Sequence, residues 1–315
     1  FVSYMSGGIA MYGFIKWVTK KRLVALFAAY AVTFTPYHAF ASRGQIAGLL
    51  NVMFILSLWW FLYMQQKPTI KKGIVLGCLV GINFYIDGYF ILFGGVLLGA
   101  FWLVLLIQWW LRRSKKQNQE FRQKVISLLT GTLVALFILS PLLWVNFAYR
   151  DKINSFLGGT RSPVKIDAQN YSAKPQDYFL PPKISPLGGQ FSENISRDIF
   201  KDNGNPGLMF VGLGVTGFAA ICVAQLLGKR RENLKKISTN AELSALTLVS
   251  LSCLAFIVSL KPYFIVAGIK IYTPSALVIQ ITPAWRVFGR LYMFVAIGFV
   301  TLASIGIAYM INKRT

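Results

Sequence analysis

Acid is what this chain has least of: 10 Asp and Glu stand against 33 Lys and Arg among 315 residues, for a net charge of +23. Charged residues of both signs make up only 14% of the sequence. A soluble domain carries about a quarter, so a water-soluble globular fold is excluded. Histidine occurs once, as His38, and the three cysteines, Cys78, Cys222 and Cys253, each fall inside an apolar run. These shortages leave no ligand set with the spacing a zinc ion needs and no disulfide framework. The sequence has no P-loop, and its first residues are not read as a secretory leader. It opens at Phe1, inside an apolar stretch, and reads as truncated at its N-terminus.

What the chain has instead is apolar length. Hydrophobic residues form 55% of it, and the mean hydropathy is +0.56. Nine apolar segments, at 1–18, 23–36, 46–64, 73–86, 88–111, 125–149, 207–228, 242–260 and 291–311, are candidate spans. A hydrocarbon core about 30 Å thick asks for about 20 helical residues from each. The segments at 23–36 and 73–86 are short and either borrow neighbours or stop below the surface. Lipid offers backbone groups no partner, so helices are the expected form, and no barrel-like alternation is visible. The fold class expected is an all-α integral membrane protein of about nine transmembrane helices with one long extracytoplasmic loop. Three regions follow: helices at 1–149, the loop at 150–206, and helices at 207–315 that include an outer segment at 261–290.

Sidedness follows from where the cations lie. The links at 16–22, 67–72, 112–124, 229–236 and 313–314 hold 20 of the 33 basic residues in very little sequence. The other set, at 37–45, 87, 150–206 and 261–290, holds 13 over much longer stretches. By the positive-inside rule the first set is cytoplasmic, which puts the C-terminus inside and the long loop outside a cytoplasmic (inner) membrane. Trp17, Trp59, Trp60, Trp109, Trp110 and Trp144 agree, since they sit near span ends where amphipathic rings meet headgroups. Sorted this way, the cations are topology anchors, and nucleic acid is not an expected partner.

The loop is the one long polar stretch. It carries six of the ten acids (Asp151, Asp167, Asp177, Glu193, Asp198, Asp202) and the aromatic, proline-rich element YSAKPQDYFLPP from Tyr171. Other glycine and acid patterns need weighing. Gly212-Leu-Gly214-Val-Thr-Gly217 spells a dinucleotide fingerprint but follows no strand, so its glycines are read as letting helices approach. The run Gly73, Gly77, Gly81 reads as a helix-packing stripe. Asp87 is flanked by apolar runs on both sides; an acid at membrane depth is a functional candidate by default, while Asp-Gly is equally a turn pair. His38, after Pro36 and Tyr37 and just before Arg43, is either an interfacial residue or part of a site. Arg286 and Arg290 share a helical face by spacing, suited to gripping a phosphate or, alternatively, to snorkelling.

MYGFIKWVTKKRLVALFAAYAVTFTPYHAFASRGQ (Met11 to Gln45), YSAKPQDYFLPP and ITPAWRVFGRLYMFVAIGF occur in that order along nearly the whole chain. In this they resemble polytopic prokaryotic proteins of the GT-C glycosyltransferase superfamily. The resemblance implies a membrane enzyme of the cell envelope that moves a sugar from a polyprenyl-phosphate donor to an extracytoplasmic glycan, lipid or protein acceptor. It implies membrane lipid as a further partner, no cofactor beyond an optional divalent cation, and no resident metal site. Substrate-binding candidates on this reading are His38, Arg43, Arg286 and Arg290 on the phosphate side, Asp177 and Tyr178 on the acceptor or sugar side, and Tyr37 with no side assigned. The catalytic acid of such enzymes lies in the first outer loop, which is expected upstream of Phe1; Asp87 is a candidate acid without being its positional equivalent.

Two other classes compete. A transporter accounts for many spans, yet no span interior here holds Lys, Arg or Glu and no internal repeat is visible. A non-catalytic protein that binds lipid-linked saccharide fits the same outer face without the acid.

Overall fold

The computed structural model describes residues 2–35, 51–85, 89–111, 118–149, 172–181, 185, 188–198, 210–228, 234, 237–238, 240–266, 269–281 and 288–314. In chain order the helices are α1 (Val2–Thr19), α2 (Arg22–Thr33), α3 (Asn51–Gln66), α4 (Ile70–Asn83), α5 (Tyr89–Leu111), α6 (Asn118–Ala148), α7 (Gly189–Asp198), α8 (Leu213–Leu227), α9 (Ala241–Ser259), α10 (Pro274–Ile281) and α11 (Tyr292–Arg314). Short 3-10 turns form at Pro175–Tyr178 and Phe288–Leu291. Each of the nine apolar segments is helical over most of its described residues. Four stretches among the described residues are long and apolar enough to cross a membrane: Ile91–Trp110, Gln119–Val145, Ala241–Ser259 and Phe288–Lys313.

Many of the hydroxyls in these helices meet the demand that lipid imposes on polar groups, although those of Ser244 and Ser252 in α9 make no hydrogen bond. Hydroxyls inside the apolar helices fold back onto their own backbone, as with Thr132 on Leu128 O, Thr301 on Ile297 O and Ser304 on Val300 O. Pro141 interrupts α6. It lacks the N–H that Phe137 O would accept, and the Ser140 hydroxyl supplies the bond at 2.7 Å. Along the same helix Leu133, Phe137 and Trp144 are exposed at 58%, 79% and 74%. Such a row is what a lipid-facing surface looks like, and the chain is a multi-pass membrane protein.

One element departs from the all-helical expectation. Residues 263–272 form an antiparallel hairpin, β1 (Tyr263–Val266) and β2 (Ile269–Tyr272), registered Tyr263 to Tyr272 and Phe264 to Ile271. Its aromatic and β-branched residues around an Ala-Gly pair favour strands over a span.

Contacts divide the chain into two compact units: Phe1–Val52 with Ser172–Ala276 and Phe288–Thr315, and Met53–Tyr171 with Leu277–Val287. The first two helices thus belong with the C-terminal ones, a grouping that cuts across the linear division at 149 and 206.

In the second unit α4 and α6 run side by side. A Cβ on Gly73 would collide with the carbonyl of Ser127, one on Gly77 with Gly131 and Val134, and one on Gly81 with Ile138. The stripe is thus a backbone-to-backbone seam. Phe61 stacks on Phe101 with centroids 3.8 Å apart, and Phe54 meets Phe93 at 5.9 Å, so α3 and α5 point the same way. Trp60 donates to Lys72 O at 2.9 Å across the α3–α4 turn. The turn at 67–69, the end of α5 at Leu111 and the start of α6 at Asn118 therefore lie at the same end of this unit.

In the first unit, Gly8 faces Thr33 and Ala29, making α1 and α2 antiparallel, and Gly298 of α11 faces Ser252 and Leu248 of α9. Gly306 of α11 sits against Phe218 and Cys222 of α8, and Tyr292 donates to Phe210 O at 3.2 Å. Those two helices run parallel. Ser238 donates to Val18 O, bringing the end of α1 to the start of α9. Lys16 to Arg22, the end of α8 at Gly228 and Lys313 consequently gather at one end. Residues 172–180, the hairpin and the turn at 288–291 gather at the other.

Candidate functional site

The C-terminus of α9 is where the polar chemistry of the first unit collects. A helix end leaves carbonyls without intrahelical donors, and here each of three successive ones is taken. Ser259 O accepts from Ala173 N at 2.9 Å, Leu260 O from the Ser275 hydroxyl at 2.7 Å, and Lys261 O from the Thr273 hydroxyl at 2.6 Å. The first bond docks the 172–181 element as a strand-like bridge between Ala173 and Leu260. The other two close the neck of the hairpin.

Tyr178 pins the docked element. Its ring, 1% exposed, stands edge-on to Phe256 at 5.1 Å and lies 6.0 Å from Tyr292. Its hydroxyl is 2.7 Å from Ser259 Oγ. Ser259 gives its single proton to Phe256 O, so Tyr178 is the donor in that pair. Pro175 opens a 3-10 turn, and Asp177 Oδ2 accepts from Lys174 N at 3.1 Å, capping it. Pro fits because a first helical position has no use for an N–H. Phe179 follows, 47% exposed. Beside this, the turn Phe288–Leu291 buries Phe288 and Leu291 and carries Arg290, half-buried, directly before Tyr292.

The sequence candidates divide accordingly. Tyr178 and Asp177 sit on one turn and Arg290 on another, and both turns share the Tyr178–Tyr292–Phe256 cluster. Tyr178 holds the element in place from the interior. Asp177 is half-buried and has one oxygen engaged by the turn. Tyr37, His38, Arg43, Asp87 and Arg286 lie outside the described residues.

Sequence reasoning missed Ser259, Thr273 and Ser275, the acceptor and the two donors that assemble this end. A hydroxyl at the end of the 242–260 run and two more in the polar-flanked stretch after it were the available signal. Among the described residues, no group of three or more His, Cys, Asp or Glu is placed to hold a metal ion.

The Gly212 motif has a different role from the one its spelling suggests. Gly212 is the N-cap of α8 with φ +99°, a conformation that favours glycine. Gly214 and Gly217 face open space, so they do not mediate close approach; Gly306 of α11 does that against α8.

The chain matches, along residues 1–315, the model of a family described as "Domain of unknown function (DUF6311)". No curated protein and no solved structure matches it.

Proposed function

Because the chain belongs to the DUF6311 family over its whole length, we propose a function from its geometry and from the sequence resemblance: a GT-C-type membrane glycosyltransferase. It transfers a sugar from a polyprenyl-phosphate donor to an extracytoplasmic glycan, lipid or protein acceptor. One observation carries the reading. Two sequence elements more than a hundred residues apart, the Tyr178 turn and the Arg290 turn, come together at the end of the first unit that lies opposite its basic links. The positive-inside rule makes that end extracytoplasmic, where a lipid-linked sugar presented at the outer leaflet is accessible. In the same proposal all nine apolar helices cross the cytoplasmic membrane, and the C-terminus is cytoplasmic.

The residue roles follow from the charge that moves. As the sugar leaves, negative charge grows on the polyprenyl phosphate. Fixed cations facing that oxygen stabilise the transition state more than the ground state. Arg290, with Arg286 and Arg43, takes this role, and guanidinium suits it because its paired N–H groups match a phosphate edge. Asp177 contacts the sugar or acceptor, and a carboxylate acting as general base takes the acceptor hydroxyl's proton.

The test uses the protein in native membranes with a panel of radiolabelled polyprenyl-phosphate hexoses and pentoses. Transfer is read as loss of label from the lipid. Arg286→Ala with Arg290→Ala is expected to lower transfer by roughly 100-fold or more, while the level of folded protein stays as in the parent. Unchanged transfer ends the phosphate assignment. Photo-crosslinking to polyprenyl phosphate without transfer of any sugar points to a binding protein instead.

A further inference from the structure

The β1–β2 hairpin leaves its β2 strand bare. No residue of β2 is buried: Ile269 is 68% exposed, Ile271 50% and Tyr272 66%. Side chains alternate along a strand, so Ile269 and Ile271 share one face, with Phe264 paired opposite Ile271. Lys270 and Tyr272 share the other face. Lys270 Nζ lies 4.0 Å from the centre of the Tyr263 ring and 5.1 Å from that of Tyr272. A two-stranded hairpin is marginal by itself in water, and the β2 side of this one has no cover among the described residues.

We propose that the bilayer is that cover. The hairpin lies in the interfacial layer, with Ile269 and Ile271 among the outermost acyl-chain segments and Lys270 at the lipid phosphates. Three observations lead there. The hairpin starts just after Leu260, the C-cap of α9, a 19-residue helix of spanning length, so it begins where the hydrocarbon ends. The last turns of α9 expose an apolar residue too, Ile257 at 44%. Tyrosine beside lysine is the composition the interface selects, since the rings straddle the boundary and the ammonium reaches outward. Lipid phosphates complement that cation in charge.

This inference needs only the membrane and is independent of sugar transfer. It is tested by spin-labelling Ile269→Cys, Lys270→Cys and Ile271→Cys, one at a time, in nanodiscs of mixed phosphatidylcholine and phosphatidylglycerol. Cys78 and Cys253 are replaced by alanine, and buried Cys222 is retained. Collision with oxygen reports acyl chains, and collision with a water-soluble nickel chelate reports solvent. Positions 269 and 271 are expected to be rich in oxygen and poor in nickel, with nickel access at 270 several-fold higher. Equal, high nickel access at all three positions places the hairpin in water and overturns the proposal. So does immobility with access to neither reagent, which means that protein covers it. In an otherwise native chain, Ile269→Cys is expected to resist a maleimide-polyethylene glycol in intact membranes and to react once detergent is added. Labelling in intact membranes overturns the proposal independently of the other replacements.

Discussion

At the scale of single residues, Tyr178 and Ser140 do comparable work in different surroundings: each hydroxyl meets a polar group that apolar neighbours would otherwise isolate. Tyr178→Phe removes one hydrogen bond and keeps the ring, so it is expected to cost about 1 kcal/mol. Tyr178→Ala also empties the space against Phe256 and Tyr292, for about 3 kcal/mol or more. Thermal unfolding in detergent distinguishes the two, and equal midpoints for both variants mean that the ring does not hold the element. Asp177 allows a sharper question, because Asp177→Asn keeps an oxygen for Lys174 N while discarding the charge. A purely structural cap predicts unchanged stability and unchanged transfer. The proposed contact with sugar or acceptor predicts unchanged stability with transfer lowered at least tenfold. In α6, Ser140→Ala strips the bond that offsets Pro141. A loss of about 1 kcal/mol is expected, and it should be absent when Pro141→Ala restores the backbone N–H.

At the scale of elements, glycine shows what a sequence does and does not disclose. The run Gly73, Gly77, Gly81 was legible as a packing stripe because its period is one helical turn, and the α4–α6 seam agrees. Gly77→Val puts a branched side chain against the Gly131 carbonyl and Val134, where backbone cannot yield. Overpacking of this kind costs about 1–3 kcal/mol, seen as early unfolding of the second unit. Gly95→Ala, with open space at its Cβ, serves as the neutral control. The glycines of α8 carried no comparable signal: three residues with the spacing of a known motif turned out to be one cap and two open positions. The partner that sets close approach there, Gly306, lies about ninety residues away in sequence. Apolar runs gave the helices because hydropathy is local. The hairpin was not read from the sequence: an apolar count sets 261–290 apart as an outer segment and takes no account of the β-branched and aromatic residues that favour strands there. The Ser259, Thr273 and Ser275 cluster stayed hidden because it forms only when the end of α9 is built.

At the scale of the whole molecule, the helix directions within each unit stand beside a partition drawn from charge alone. Lys and Arg counts divided the links into two sets without reference to packing. Close approaches and hydrogen bonds then place Lys16 to Arg22 and Lys313 at one end of the first unit, and the turn at 67–69 with the end of α5 and the start of α6 at one end of the second. The reading of function depends on assigning those ends to compartments. Single cysteines at 177, 115 and 313, probed in intact cells with a membrane-impermeant maleimide, test that assignment. Position 177 is expected to label from outside, and positions 115 and 313 only after the cells are opened. If 177 and 115 label together, the two basic sets do not share a compartment, and Arg290 loses its access to an outer-leaflet phosphate. If 177 is protected while 115 and 313 label from outside, the orientation is reversed, and a donor would have to be presented on the cytoplasmic leaflet. The interfacial placement of the hairpin would survive that reversal, because the chemistry of Lys270 and its tyrosines suits the headgroups of either leaflet.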